Sequence, residues 1–233
     1  MMIDESNLSE TQKGLLLAAE KLLATQGFEA TTLKQINRLA GQSNSSAIHY
    51  HFGSRDAILD ATLALRIVPN NVLREQLIKD ARAAAQDTPL STQTIAELLL
   101  LKDRTLNEIK DSKRITYHHR LSLRLRQEVR LWRHLRTEQF AWSLSDLKSE
   151  LQRAKPFIPP QIIRSRFRNV MNFGMMSLAE IEAEKELLGS KFKASEAIFR
   201  IHETVTAIVA ILDAPVSPEV VAALHNSMNS SPT

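Results

Sequence analysis

The chain has 233 residues, 43% hydrophobic but only 5% aromatic, a formal net charge of +4 and no cysteine. The lack of cysteine excludes disulfides, thiolate metal sites and thiol redox sensing, and it fits a reducing cytoplasm, the expected location. No apolar run reaches the length of a membrane span, so no membrane partner is expected. With only 6 glycines and little strand-like alternation, the composition points to an all-α fold. The charge is uneven: residues 102–168 hold 17 Lys or Arg against 7 Asp or Glu, so the basic part is the middle of the chain.

The opening MMIDESNLSE is acidic and polar, unlike a signal peptide, and residues 1–8 are expected to form a disordered tail. Ser9 and Gln12 make a capping box that starts a first helix. Leu15, Ala18, Ala19, Leu22 and Leu23 give that helix an apolar stripe, and Gly27 ends it. Thr32 and Gln35 repeat the box, Leu33, Ile36 and Ala40 supply an apolar face, and Gly41 stops the second helix. A polar turn, Gln42-Ser43-Asn44, leads into a short helix at about Ser45–His51. Two short helices joined by a turn with glycine at its start describe a helix-turn-helix. Ile48 and Phe52 fall together toward the core, whereas Ser46, Ala47, His49 and Tyr50 point away. That outward mixture suits the major groove of DNA, where base edges offer donors, acceptors and the thymine methyl. An ordinary solvated helix face reads equally well, because the face carries no charge.

The run AGQSNSSAIHYHFGSRDAIL resembles the signature of the TetR family of transcriptional regulators. In that family a variable turn leads to an aromatic-His-Phe motif, a small or polar residue, Ser, a basic residue and an acidic one. Tyr50-His51-Phe52-Gly53-Ser54-Arg55-Asp56 follows this order, with a turn one residue longer than the commonest form and His49 at a frequent Tyr position. The resemblance covers roughly residues 9–66. It implies a three-helix DNA-binding domain at 9–53, a larger helical ligand-binding and dimerisation domain at 54–226, and a tail at 227–233. It also implies double-stranded DNA as partner, a homodimer on a palindromic operator, a repressor released by a small-molecule effector, and no cofactor. The expected DNA contacts are Thr32, Ser45, Ser46, Ala47, His49, Tyr50, His51 and Arg55. Arg55 stands where the family commonly places a phosphate-contacting basic residue.

Beyond the motif, Ser54 caps a fourth helix, with Asp56 favourable at its positive end. Pro69 is expected to stop that helix, and a separate one to cover about Val72–Ala85. Ser91 to about Lys110 reads as a single helix with Ile95, Leu98, Leu99 and Leu106 as core positions. In TYHHRLSLRLRQEVRLWRHLR, Arg120 and Arg124 are four apart, as are Arg126 and Arg130. They form either a ridge for an anionic effector or a solvated face paired with acids elsewhere. His118-His119 and His49-x-His51 are too close in sequence to share a helical face, so no metal site is expected. Trp132, Phe140, Trp142, Met171 and Met175 line either a ligand pocket or ordinary core.

The last long helices span about Pro160–Leu188 and Ala194–Leu212. The second carries Ile201, Val205 and Ile208 on a long apolar face. The resemblance, through pairing of two late helices between subunits, places these three at the dimer interface. A short helix near Pro218–Leu224 follows. The chain has no metal-binding helix motif, phosphate loop or nucleophile elbow, so no enzyme is expected. The alternative is a DNA-binding architectural or division-control protein that answers to a protein partner, which a filled core would favour.

Overall fold

The structure, a computed structural model, describes residues 8–42, 47–86, 88–111, 115–128 and 138–229, with the backbone alone for 47, 138–141 and 227–229. Those residues form eleven α-helices and no strand. The first four are α1 (Glu10–Gln26), α2 (Leu33–Leu39), α3 (Ala47–Phe52) and α4 (Arg55–Ala84). Then come α5 (Thr92–Leu100), α6 (Lys102–Lys110), α7 (His118–Gln127) and α8 (Glu138–Ala154). The chain closes with α9 (Pro160–Leu188), α10 (Ala194–Asp213) and α11 (Pro218–Asn229). No single helix among the described residues is long and apolar enough to cross a membrane.

The starts of the helices follow from local chemistry. Both capping boxes are made: Ser9 and Thr32 accept from the amides of Gln12 and Gln35, whose side chains reach back. Each box satisfies two amides that the first helical turn would otherwise leave unpaired. Ser54 caps α4 by accepting from the Ala57 amide. Gly53, at φ +78°, turns the chain out of α3 through a conformation closed to most L-residues.

Two expectations about helix ends need correcting. Pro69 does not stop α4, which runs unbroken for 30 residues and absorbs the expected helix at Val72–Ala85. A proline interrupts one backbone bond, but α4 is packed along its length by α1, α5, α7 and α8, so leaving the helical path would cost more than the lost bond. Conversely, the expected helix from Ser91 to Lys110 is two. Leu101 adopts the left-handed conformation (φ 48°, ψ 52°), and Thr105 Oγ1 donates to the Leu100 carbonyl that the break frees. A non-glycine residue held there costs on the order of 1–3 kcal/mol, so surrounding packing must impose it.

Two apolar cores result. The first joins Leu15, Leu16 and Ile36 to Ile48, Ile58 and Leu59, and it is closed by Leu121 and Leu125 of α7. The second gathers Ile78, Ile95, Leu147, Leu151, Ile163 and Val170 with the inner face of α10. Thus α4 contributes to both cores, while α7 closes the first and packs against α9. A buried ion pair fastens the first: Arg66 of α4 donates from Nη2 to Glu20 Oε2 of α1 at 3.0 Å, with Nε 3.3 Å from both oxygens.

Burial also corrects the placement of Ile201, Val205 and Ile208 at a dimer interface. All three belong to the protomer's own second core, where α10 meets α5, α6 and α9. An apolar stripe reports that a face is covered without saying what covers it. The opposite face of α10 exposes Phe199, His202, Glu203 and Thr206.

Candidate functional site

The helix-turn-helix is built as its sequence implies. Ile48 is fully buried and anchors α3 against α2 and α4, which leaves His49 and Tyr50 outward; Tyr50 is 85% exposed. His49 Nδ1 lies 3.0 Å from the Gly53 carbonyl oxygen. A carbonyl can only accept, so Nδ1 holds the proton and Nε2 of the neutral ring is left as an acceptor. The Tyr50 ring meets His51 edge-on, with centroids 4.9 Å apart. Thr32 is exposed, and its hydroxyl is engaged with Gln35 in the cap of α2. Ser45 and Ser46 lie outside the described residues, as does the side chain of Ala47.

Arg55 has a structural task that the sequence does not announce. Its Nη2 donates to the Thr31 carbonyl at 2.8 Å, and the guanidinium sits 4.1 Å from the centroid of the Phe28 ring. It therefore clamps the start of α4 to the loop between α1 and α2, and only its remaining N–H groups could reach a phosphate. Lys34 and Arg38, overlooked in the sequence, are exposed and four apart on α2. That basic spacing is a readable signal for a phosphate-facing ridge.

A cavity of about 210 Å³ lies in the body, bounded by α4, α5, α6, α7, α8 and α9. Its apolar wall includes Leu99, Leu144, Met171, Met175 and Leu178; its polar wall includes Asn70, Asn71, Arg74, Arg104, His118 and Arg126. The strained Leu101 lines it as well. Met171 and Met175 both line this cavity, and Met171 also packs against the second core. Trp142 does not line it: it packs against the first core, and its Nε1 donates to Glu75. Trp132 and the side chain of Phe140 lie outside the described residues.

Arg120 and Arg124 do not line the cavity. Arg120 Nη2 donates to Glu186 at 2.6 Å, the pairing with a distant acid that was the other reading of the Arg-rich stretch. Arg124 donates to the carbonyls of Ala24 (2.7 Å) and Thr25 (3.0 Å), closing the carboxyl end of α1. Gly27 stands at φ +87°, a conformation that L side chains rarely adopt, and a Cβ there would also meet Arg124 Nη1 at 3.0 Å.

At the start of α7, His118 and His119 converge on Glu182 of α9, their Nδ1 atoms 3.3 and 3.1 Å from its Oε1. The two rings lie against each other, their centroids 3.8 Å apart, so these adjacent side chains reach the same carboxylate. The carboxylate is already occupied, accepting from the Thr116 hydroxyl and from the amides of His119 and Arg120. It acts as an imported cap for α7. Burial opposes its charge, but the imidazole of His119 and these hydrogen bonds prevail and hold the Glu182 carboxyl at about 2. Burial, then the neighbouring His119, pushes His118 well below 6.5.

Residues 15–62 match the sequence profile described as bacterial regulatory proteins, tetR family. Among solved structures, a Rhodococcus sp. protein assigned to the TetR-family transcriptional regulators aligns with 86% of this chain and 100% of its own, at 16% identity and a TM-score of 0.49. No curated protein matches the chain significantly. The matched segment runs from α1 through the helix-turn-helix into α4, so this part of the chain is similar to the N-terminal region of the bacterial regulatory proteins of the tetR family.

Proposed function

We propose that the protein is a repressor that binds a palindromic operator as a homodimer and is released when a small molecule occupies the body cavity. The observation that carries this reading is the presentation of α3: Ile48 pins the helix while Tyr50 and His49 stand clear of the protein. Base contacts come from His49 with Ser46 and Ala47. Phosphate contacts come from Tyr50, the spare N–H groups of Arg55, and the exposed Lys34 and Arg38. A twofold dimer supplies two such helices at a fixed spacing, so the operator mirrors that symmetry. The partly polar cavity favours a small-molecule effector over control by a protein partner, for which a filled core would serve.

The dimer surface is assigned to the outward faces of α9 and α10, where Met176 and Phe199 are exposed. Selection of bound sequences from a random DNA pool tests the central claim, and recovery of an inverted repeat is the expected result. Recovery of a single unrepeated site would overturn the dimer. Phe199→Asp is expected to give monomers in sedimentation and weaken operator binding while the headpiece stays folded.

A further inference from the structure

The polar wall of the cavity has a charge left over. Arg74, 7% exposed, donates to the Leu98 carbonyl (3.0 Å), the Leu99 carbonyl (3.3 Å), Asn71 Oδ1 (3.3 Å) and Ser143 Oγ (2.9 Å). Among the described residues no carboxylate stands within ion-pair distance of it. The carbonyls at the carboxyl end of α5 offset part of its charge, as a helix end does. Its neighbour in the wall, Arg104, adds like charge and itself pairs with Glu108 at 3.3 Å. Burial and then Arg104 depress the Arg74 guanidinium to about 10. A buried charge without a counter-ion is costly, and a bound anion would remove the cost. In the same wall the Asn71 Nδ2 donor, on the side chain whose Oδ1 accepts from Arg74, is buried without a hydrogen-bond partner and can donate to a carboxylate; Asn70 Oδ1, also without one, is an acceptor and calls instead for a donor on the ligand. Such atoms are rare in a finished core and expected where a ligand completes the wall.

Room and access agree. A volume of 210 Å³ corresponds to roughly seven waters at about 30 Å³ each, or on the order of ten non-hydrogen atoms of ligand. A wider groove of about 730 Å³ along α5 and α6 shares Leu101, Arg104 and Glu108 with the cavity, so those three residues stand between the two spaces.

We propose that the cavity binds a small organic carboxylate whose acid group pairs with Arg74 and whose apolar body lies along Leu144, Met171 and Met175. This inference rests on the effector reading only for its regulatory meaning; binding is measurable without DNA. The probes are benzoate and octanoate, each against its neutral amide, titrated calorimetrically into the full-length protein. Each acid is expected to bind about tenfold or more tighter than its amide, the usual worth of a hydrogen-bonded charge partner. Arg74→Gln should erase the contrast, and Arg104→Gln should reduce it. Should Arg74→Gln fail to fold, the wild-type contrast together with Arg104→Gln decides. Amides that bind as well as acids, acids that do not bind, or variants that keep the full contrast would each overturn the proposal. Operator affinity measured with the same probes separates the two readings. Acids that bind and leave operator affinity unchanged uphold this inference and defeat the effector reading; amides that bind equally and release operator do the reverse.

Discussion

On the proposed reading His49 is a base-contacting side chain held ready: its bond to the Gly53 carbonyl fixes the ring, so little rotational freedom would be lost on meeting a base. His49→Ala is expected to cost about 1–3 kcal/mol on operator and little on random DNA. Equal losses on both, measured by competition binding, would reassign His49 to a supporting role. On the same reading Lys34 and Arg38 supply the sequence-independent part. Replacing either with Ala should weaken all DNA similarly and lower the salt slope by about one unit. The Glu20–Arg66 pair is a stability residue at the same scale. Burial raises the Glu20 carboxyl against the pull of Arg66, so the pair is a poor source of net energy but a bad one to break. Arg66→Met strands a buried carboxylate and is expected to cost about 3–5 kcal/mol in denaturant unfolding.

Among the elements, α7 carries the most consequences for its ten residues. Its first turn is held by Glu182, and its two histidines face the cavity or the carboxylate. Both groups make acid destabilising. His118 is lowered in the fold, so the unfolded chain binds its proton first; its share of stability is complete above 6.5 and drains as pH falls below that. Glu182 is lowered from 4.5 to about 2, so its share is complete above 4.5 and lost as pH falls toward 2. The denaturation midpoint is therefore expected to decline in two steps, the first beginning below 6.5. His118→Gln should remove the first step, and Glu182→Gln the second. A midpoint flat from neutral to pH 5 in the wild type would contradict the assignment to His118.

For the whole molecule, the same helix joins the cavity to the headpiece. His118, His119, Ser122 and Arg126 line the cavity, while Arg124 on α7 holds the last carbonyls of α1. A ligand can release DNA only by favouring an arrangement that binds DNA less well. Movement of α7, transmitted by Arg124, would re-aim α1 and the helix-turn-helix packed on it; α4, which runs from the headpiece past the cavity, is the parallel route. Coupling of this kind is typically about 1–3 kcal/mol, roughly 5- to 150-fold in DNA affinity. Arg124→Ala is expected to leave ligand affinity nearly unchanged and shrink that ratio. Full release retained in the variant, by operator titration with and without saturating ligand, would leave α4 as the route.

The sequence by itself determined whatever depends on neighbours along the chain. Both capping boxes, the helix-turn-helix, the outward placement of His49 and Tyr50 and the all-α class follow from spacing and side-chain chemistry within a few residues. The anionic-or-solvated ambiguity of the Arg-rich stretch could not be settled that way, because Arg120 and Arg124 take their partners from α9 and α1, while Arg126 lines the cavity. Pro69 inside α4, the left-handed Leu101 and the inward turn of Ile201, Val205 and Ile208 share that cause: packing energy from distant helices outweighs local preference. Arg74 is the sharpest case. In sequence it is one arginine on a charged helix, and only the convergence of α4, α5 and α8 makes it a buried charge beside an open cavity.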